Sequence, residues 1–230
     1  DKANLTQFMR ELYAEFHSAG LLVCQDTAID DPNFDRQALV KYNDFLIPMV
    51  YDEHSPGEDG GGAGSIASMK WTEEQLHQLF EVEKIPPQKI VLGIGNYAYD
   101  WQDGDVNADP LSFQSAILQA KESQDPKEAN IAKIRLDPAT LNPFYRYIDD
   151  DNKSHSVWML DAASTYNQLR IARKYPTLGV ALWYMGGEDP SVWQIIGKEA
   201  LGKDQAERID SGALNVISYH NQAQVDFEGE

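Results

Sequence analysis

One stretch of the sequence carries the most information about its architecture: Ile47-Pro48-Met49-Val50-Tyr51-Asp52-Glu53-His54. Its apolar residues lead into an acidic and aromatic end, and the glycine-rich run 57–65 follows directly. A continuously apolar run of this length is typical of a parallel strand that is buried on both faces. The stretch therefore predicts a strand whose carboxyl end opens into a functional loop.

Two later stretches have the same form. Residues 90–101 read Ile-Val-Leu-Gly-Ile-Gly-Asn-Tyr-Ala-Tyr-Asp-Trp, and residues 179–189 read Gly-Val-Ala-Leu-Trp-Tyr-Met-Gly-Gly-Glu-Asp. Helical periodicity separates such strands, and alternation of this kind predicts a parallel sheet with helices outside. Because sites in these folds gather at the carboxyl ends of the strands, three aromatic and acidic ends predict one shared pocket.

The remaining elements follow from periodicity and turn signals. Gly20 is a natural stop for the first helix, Thr72 is a candidate cap, and Asp189 with Pro190 predicts the start of a last helix. Helices are predicted over 5–16, 34–42, 72–83, 111–121 and 162–175, and strands over 21–24, 45–51, from 89 onward, and over 178–184. If the strand from 89 continues through the aromatic run, Tyr97, Tyr99 and Trp101 share one of its faces.

The segment 103–156 breaks the alternation and predicts an inserted α+β subdomain. Its clearest feature is a hairpin of 144–148 against 155–160, which turns through an acidic run at 149–153. We expect one partial barrel over 1–205 that includes this insertion, followed by a polar tail or linker over 206–230.

Composition and charge exclude several classes of function. The chain has 230 residues and a net charge of -18, which disfavours nucleic acid and anionic membranes as partners. No phosphate-binding glycine motif occurs, and no apolar run approaches the roughly 20 residues that span a bilayer. The single cysteine, Cys24, excludes an internal disulfide and is expected to be a buried apolar residue. We predict no metal and no cofactor, because adjacent residues at 52–54 point to opposite faces of a strand.

The three strand ends together resemble glycoside hydrolase family 18, the chitinase-like (β/α)8 barrels. Residues 49–52 resemble the end of the family's sixth strand, 92–101 its seventh, and 179–193 its eighth strand and the next helix. Residues 157–175 resemble the bacterial branch that includes spore-cortex hydrolases. The resemblance extends to domains fused to a polysaccharide deacetylase and a membrane glycosyltransferase, and it implies an extracytoplasmic location.

One expected motif is missing from these residues. The family's Asp-x-x-Asp-x-Asp-x-Glu signature closes the fourth strand and supplies the general acid, and it does not occur here. Four strands are found that resemble the fifth to the eighth, whereas a whole barrel takes about 250 residues before insertions. The sequence is therefore expected to form the C-terminal part (strands 5–8) of a TIM barrel, with no catalytic acid of its own.

The resemblance implies a substrate-assisted mechanism on N-acetylglucosamine-containing polysaccharide, in which the sugar's own acetamido group is the nucleophile. Tyr51 and Asp52, with Met49, would position that group, although the pair could also simply end a strand. Trp183 would be the floor for a sugar ring or else a core aromatic. The further candidates for sugar contact, with core packing as the alternative for the aromatics, are Asn96, Tyr97, Tyr99, Trp101 and Glu188.

Three functional hypotheses remain open. The first is a glycosidase domain whose acid lies upstream, completed by the missing half of the barrel or by a partner chain. The second is a lectin-like module of the same family that guides a polymer within a multidomain protein. The third is an unrelated α/β enzyme with an open four-stranded sheet, which exposed apolar edges disfavour.

Overall fold

The computed structural model describes residues 2–123 and 132–200, except for the side chains of residues 197–200. These residues form two compact units, and each is built from three segments of the chain. Of the described residues, the first unit comprises 2–51, 71–94 and 170–182. The second comprises 52–70, the described part of 95–169, and 183–200.

The first unit is organised by a four-stranded sheet. In it β1 (Cys24–Ala28) pairs with β2 (Phe45–Met49), and β2 pairs with β3 (Val91–Gly95), both in parallel. The last strand among the described residues, β9 (Gly179–Trp183), lies beside β3, so the order is β1-β2-β3-β9. The predicted α/β class and the strands at these four places are confirmed.

Helices connect these strands as the alternation requires. They are α1 (Lys2–Ser18), α2 (Arg36–Leu39) and α3 (Met69–His77), which continues as a π-helical turn at Gln78–Val82. A short 3-10 turn, Pro87–Lys89, precedes β3. The glycine that follows α1, Gly20, has a positive φ of 75°, which glycine adopts at low cost and which ends the helix as predicted.

The apolar core of the first unit lies between the sheet and its helices. Its fully buried aliphatic residues include Leu39, Leu46, Leu76, Ile90 and Leu92. The buried guanidinium of Arg36 makes two hydrogen bonds to the Glu83 carboxylate and a third to the Ala28 carbonyl, so the charge is paired where water is scarce.

Three predictions in this unit are wrong. The first strand begins at Cys24 rather than at Leu21, and Leu21 and Leu22 are exposed. Cys24 is exposed as well, because among the described residues β1 has a strand on one side only and Thr27 alone is buried in it. Thr72 is not a cap, since α3 begins three residues earlier and encloses Thr72 in its buried face.

The second unit contains an antiparallel sheet of five strands in the order β5-β4-β8-β7-β6. The predicted hairpin is confirmed, with β7 (Pro143–Ile148) against β8 (Ser154–Met159). The other strands are β4 (Ala98–Gln102), β5 (Ala108–Leu111) and β6 (Arg135–Leu136). Its helices are α4 (Phe113–Glu122), α5 (Ala162–Ala172), which runs on into the first unit, and α6 (Val192–Ala200).

The strand predicted from 89 does not continue through the aromatic run. It ends as β3 at Gly95, and β4 starts at Ala98 in a different sheet. The Asn96 N–H still donates to the carbonyl of Trp183, which ends the neighbouring strand β9, whereas the Tyr97 carbonyl accepts the N–H of Leu160, which follows β8. The chain therefore changes its partner strand between Asn96 and Tyr97.

The proposed boundaries of the barrel, the insertion and the tail stay predictions, and residues 206–230 lie outside the described residues. Within the part of the chain that the structure describes, no helix combines the length and apolarity of a membrane span. The same residues contain no group of three or more His, Cys, Asp or Glu side chains that could hold a metal ion.

Candidate functional site

The carboxylate of Asp52 is the centre of the candidate site in the second unit. It lies three residues after the end of β2, and its backbone has a φ of 66°, a left-handed conformation that Asp tolerates better than most residues. The hydroxyls of Tyr97 and Tyr99 both donate to its Oδ1, Tyr99 over 3.0 Å. Two donors on one oxygen favour the charged form of this carboxylate and restrict its orientation.

The alternation along β4 explains why both phenols reach Asp52. Residues 97, 99 and 101 point to one side of the strand, while Ala98 and Asp100 point to the other. The rings of Tyr97 and Tyr99 meet edge to face with centroids 5.2 Å apart, and Tyr99 and Trp101 do so at 6.0 Å. The structure thus brings four of the predicted site residues together.

Burial separates these aromatics by what they can contact. Tyr97 is 3% exposed and Trp101 is fully buried, whereas Tyr99 is half-buried. Burial first, and then the charge of Asp52, holds the pKa of Tyr97 well above its ordinary value, so its hydroxyl remains a donor. The buried indole nitrogen Nε1 of Trp101 has no hydrogen-bond partner among the described residues. The predicted sugar contacts of these three residues are untested, and for Tyr97 and Trp101 burial favours the alternative of core packing.

The side chain of Asn96 links two other segments of the second unit through hydrogen bonds. Its side-chain oxygen accepts the Asp189 N–H over 2.6 Å, and its amide nitrogen donates to the Thr165 hydroxyl over 3.1 Å. The side chain is fully buried. Both ends of the amide are therefore occupied within the protein, which favours a structural role over the predicted sugar contact.

Trp183 presents an aromatic surface at the end of β9. It is 56% exposed, and its ring meets that of Tyr184 edge to face at 5.8 Å. The peptide bond between the two residues is cis. An indole with this exposure suits a sugar-stacking floor better than the alternative of a core aromatic.

Glu188 closes the loop that follows Trp183. Its carboxylate accepts hydrogen bonds from the Gly186 N–H and from the indole nitrogen of Trp193, the latter over 2.9 Å. Partial burial opposes its ionisation, but the hydrogen bonds that it accepts, those from its own backbone and Trp193 foremost, outweigh burial and hold its pKa below the usual value. A carboxyl that stays ionised at neutral pH is a poor proton donor, so Glu188 does not replace the missing general acid.

Asp189 has a role that the sequence indicated only in part. It was predicted to cap the last helix, and its Oδ1 accepts the Ser191 N–H. Its Oδ2 accepts the N–H of Ala162, at the start of α5, over 3.0 Å. Burial, and then the neighbouring charge of Asp161, raises the pKa of Asp189 to about 6. The cap is thus also a buried carboxyl that joins two segments.

Hydrogen bonds and a close side-chain contact hold the glycine-rich loop in place. The carboxylate of Glu53 accepts hydrogen bonds from the backbone and hydroxyl of Ser68, and His54 bonds the Ser65 carbonyl through Nδ1 over 2.8 Å. Gly64 lies so close to the His54 ring that a Cβ would meet it at 2.6 Å. These contacts fix the side chains of Glu53 and His54, the two residues that follow Asp52.

A buried polar network on the opposite face of the sheet was missed by the sequence reasoning. The Asp100 carboxylate accepts the Tyr147 hydroxyl over 2.6 Å and the Gln119 amide over 2.9 Å, and its Oδ1 lies 2.9 Å from Nδ1 of His155. The sequence contained a signal for this network, because strand alternation places Tyr145 and Tyr147 on one face of the predicted hairpin.

Met49 and Tyr51, the other two residues predicted to position the substrate, belong to the first unit. Met49 ends β2, is half-buried and pairs with Gly93 across the parallel ladder. Tyr51 is the half-buried residue that directly precedes Asp52 in the chain. Their predicted roles in substrate positioning are untested.

Parallel strands that end in carboxylates and aromatics, with a separate α+β segment after the third, define a glycosidase-like partial barrel. Residues 1–188 match the model of the glycosyl hydrolases family 18. The chain therefore belongs to family 18 of the glycosyl hydrolases.

The relatives include bacterial glycosylases and cortical fragment-lytic enzymes. The chain is 27% identical over 202 residues to the uncharacterized glycosylase YvbX of Bacillus subtilis, with 85% of this chain and 56% of YvbX covered. It is 27% identical over 212 residues to the cortical fragment-lytic enzyme of the same organism, with 86% of this chain and 46% of the enzyme covered. The chain thus spans about half the length of the curated relatives that it matches.

Solved structures agree on the fold. The spore cortex-lytic enzyme SleL of Bacillus megaterium is 27% identical with a TM-score of 0.66, over 86% of this chain and 45% of SleL. A chitinase of Chromobacterium violaceum is 24% identical with a TM-score of 0.73, over 88% of this chain and 63% of that one. The predicted fold, a part of a TIM barrel, is confirmed.

Proposed function

We propose that this chain supplies the sugar-gripping part of a glycoside hydrolase that acts on an N-acetylglucosamine-containing polysaccharide. The observation that carries the proposal is the Asp52 carboxylate, held by two phenol hydroxyls three residues after a parallel strand of a family 18 domain. A fixed carboxylate at that edge of the sheet is an acceptor for a polar substrate group.

The proposed reaction is substrate-assisted hydrolysis with retention of configuration. The carbonyl oxygen of the acetamido group attacks the anomeric carbon as the glycosidic bond breaks, and a general acid protonates the leaving oxygen. Water then opens the cyclic oxazolinium intermediate, gives its proton to the same group, and restores the acetamido group.

Two residues of this chain have the chemistry that the first step needs. The Asp52 carboxylate accepts the acetamido N–H and stabilises the positive charge that develops on the ring, while the Tyr51 hydroxyl donates to the acetamido oxygen. Holding that oxygen beside the anomeric carbon turns the attack into an intramolecular step. Trp183 provides the apolar floor for the sugar ring.

The general acid is proposed to be a glutamate outside these 230 residues. The family's signature for that residue does not occur in the sequence, and Glu188 is ionised and tied to its own loop. The proposed setting is extracytoplasmic, in a larger protein that also carries polysaccharide deacetylase and membrane glycosyltransferase domains. This setting derives from family resemblance.

A lectin-like function is the alternative. The absence of the acid motif from these residues favours it, since Trp183 and Asp52 could bind a polymer without cleaving it. In that case the full-length protein would retain oligosaccharides of N-acetylglucosamine and release no shorter products.

The test compares the full-length protein with its Asp52→Asn variant on oligosaccharides of N-acetylglucosamine. We expect turnover by the parent protein and a loss of kcat of about 10²-fold or more in the variant, because the amide is uncharged and places a donor where an acceptor is needed. The matched control is Asp105→Asn, at an exposed loop position. Equal turnover by parent and Asp52→Asn would contradict the proposal.

A further inference from the structure

We infer that Tyr97 and Tyr99 are positioning residues for the Asp52 carboxylate rather than platforms for a sugar ring. The inference deepens the proposed hydrolysis and rests on it, because it assigns the two phenols to the residue that would grip the acetamido group. It replaces the sugar-stacking role that the sequence pattern favoured equally with core packing.

The direction of the hydroxyls is the first argument. Both phenols donate to Oδ1, the same oxygen of Asp52, from two positions of one strand. The edge-to-face packing of their rings, with centroids 5.2 Å apart, holds the two hydroxyls at a common point. A pair of platforms for successive sugars would instead present flat faces.

The accessibility of the rings is the second argument. Tyr97 is 3% exposed, so no face of its ring is available to a pyranose. Tyr99 is half-buried and packs edge to face against both Tyr97 and the fully buried Trp101. The polar ends of both phenols are therefore their functional parts.

The backbone at Asp52 explains why the carboxylate needs support. With its φ of 66°, Asp52 occupies a sparsely populated conformation in the segment that follows β2. Its side chain has two rotatable bonds, and a displacement of about 1 Å in a reacting geometry costs on the order of 10²-fold in rate. Two charge-assisted hydrogen bonds hold one oxygen in place and stabilise the ionised form.

The first test is kinetic and uses Tyr97→Phe, Tyr99→Phe and the double variant in the full-length protein. Phenylalanine keeps the ring and removes only the hydroxyl, so a stacking role would survive the change. We expect kcat to fall about 10-fold in each single variant and further in the double variant, with KM altered less than threefold. The acidic limb of the pH profile of kcat should move to higher pH, because the ionised form of Asp52 loses its donors.

Tyr145→Phe is the matched control for losing a buried phenol hydroxyl. Tyr145 lies in the same sheet, but its hydroxyl donates to the Ala116 carbonyl and to Gln119 on the other face. We expect its pH profile and kcat to match those of the parent protein. In an Asp52→Asn background, the Tyr97→Phe and Tyr99→Phe changes should have no further effect on kcat.

A second measurement separates this inference from the proposed hydrolysis. Carbon-13 NMR of the side-chain carboxyls, with Asp52 assigned by its absence in Asp52→Asn, should show the Asp52 titration at higher pH in both Phe variants. That shift without any turnover by the parent protein would refute the proposed hydrolysis and leave the positioning role standing. An unchanged titration and unchanged kcat in the double variant, with Asp52→Asn inactive, would refute the positioning role alone.

Discussion

Acidification from pH 7 to pH 5 should stabilise this protein, and the cause is the buried carboxyl of Asp189. This side chain is 1% exposed, lies beside the charge of Asp161, and has its pKa raised from 3.8 to about 6. The folded protein therefore binds a proton there at a pH where the unfolded chain does not. Stability that depends on this proton is fully present below pH 3.8 and is lost as the pH rises through 6.

The size of the effect follows from the two pKa values. A shift of one unit corresponds to 1.36 kcal/mol, so full protonation of Asp189 is worth about 3 kcal/mol. Between pH 7 and pH 5 only part of this appears, and the linkage relation gives a gain of about 1.3 kcal/mol. The carboxyls whose pKa is lowered, such as Asp44 and Glu188, have unfolded values of 3.8 and 4.5, so their opposite effect falls mainly below this window.

The assay is urea unfolding at pH 5, 6 and 7, with the free energy of unfolding extrapolated to water. Asp189→Asn should be less stable at every pH, because an amide can accept only one of the two backbone N–H groups that the carboxylate binds. Its stability should nevertheless be nearly independent of pH over this range. The control Asp105→Asn should keep the slope of the parent protein. A parent protein whose stability is flat or falls from pH 7 to pH 5 would refute the reasoning, as would an equal slope in Asp189→Asn.

Two further predictions concern single contacts. Glu83→Ala should lower the free energy of unfolding by about 3–5 kcal/mol, because it leaves the Arg36 guanidinium buried without its partner. As a control in the same urea titration, Glu81→Ala removes one member of an exposed ion pair and should lower it by less than about 1 kcal/mol. Asn142→Ala removes the side chain that bonds the backbone of Ala67 and the hydroxyl of Ser65. Limited proteolysis should therefore cut the loop 57–65 faster in this variant than in the parent protein, and equal cleavage rates would contradict the prediction.

Elements with strong local signals could be predicted from the sequence. The run 45–51 is mostly apolar and bounded by polar residues, which predicts a strand, and β2 forms there. Burial on both faces was predicted as well, but only Leu46 and Pro48 of β2 are buried and the residues between them are half-buried. The hairpin of β7 and β8 follows from alternation and from an acidic turn that bonds its own backbone, with Asp149 Oδ1 accepting from 151 and 153. These are contacts between residues close in the chain.

Burial at the edge of the sheet could not be predicted in the same way. Cys24 stands in an apolar run, and such a run predicts a buried position. Its exposure depends on which strand lies beside β1, and that is a property of the assembled sheet. Thr72 is not a cap because the helix extends three residues further, to Met69, directly after Ser68, which is also a favoured capping residue type.

The sequence could predict which residues belong to the site but not how they are arranged. Strand alternation placed Tyr97, Tyr99 and Trp101 on one face, and they do share it. The pattern could not show where β3 ends, because that depends on which strands lie beside it: the Asn96 N–H bonds Trp183 of β9, whereas the Tyr97 carbonyl bonds Leu160 after β8. Trp183 is 87 residues away from Asn96 in the chain, so this pairing is a property of the assembled sheets. The residues after Tyr97 join the second sheet, and the hydroxyls of Tyr97 and Tyr99 donate to Asp52. Asn96, which the sequence suggested as a sugar ligand, has its side chain bonded to Asp189 and Thr165 at the same point.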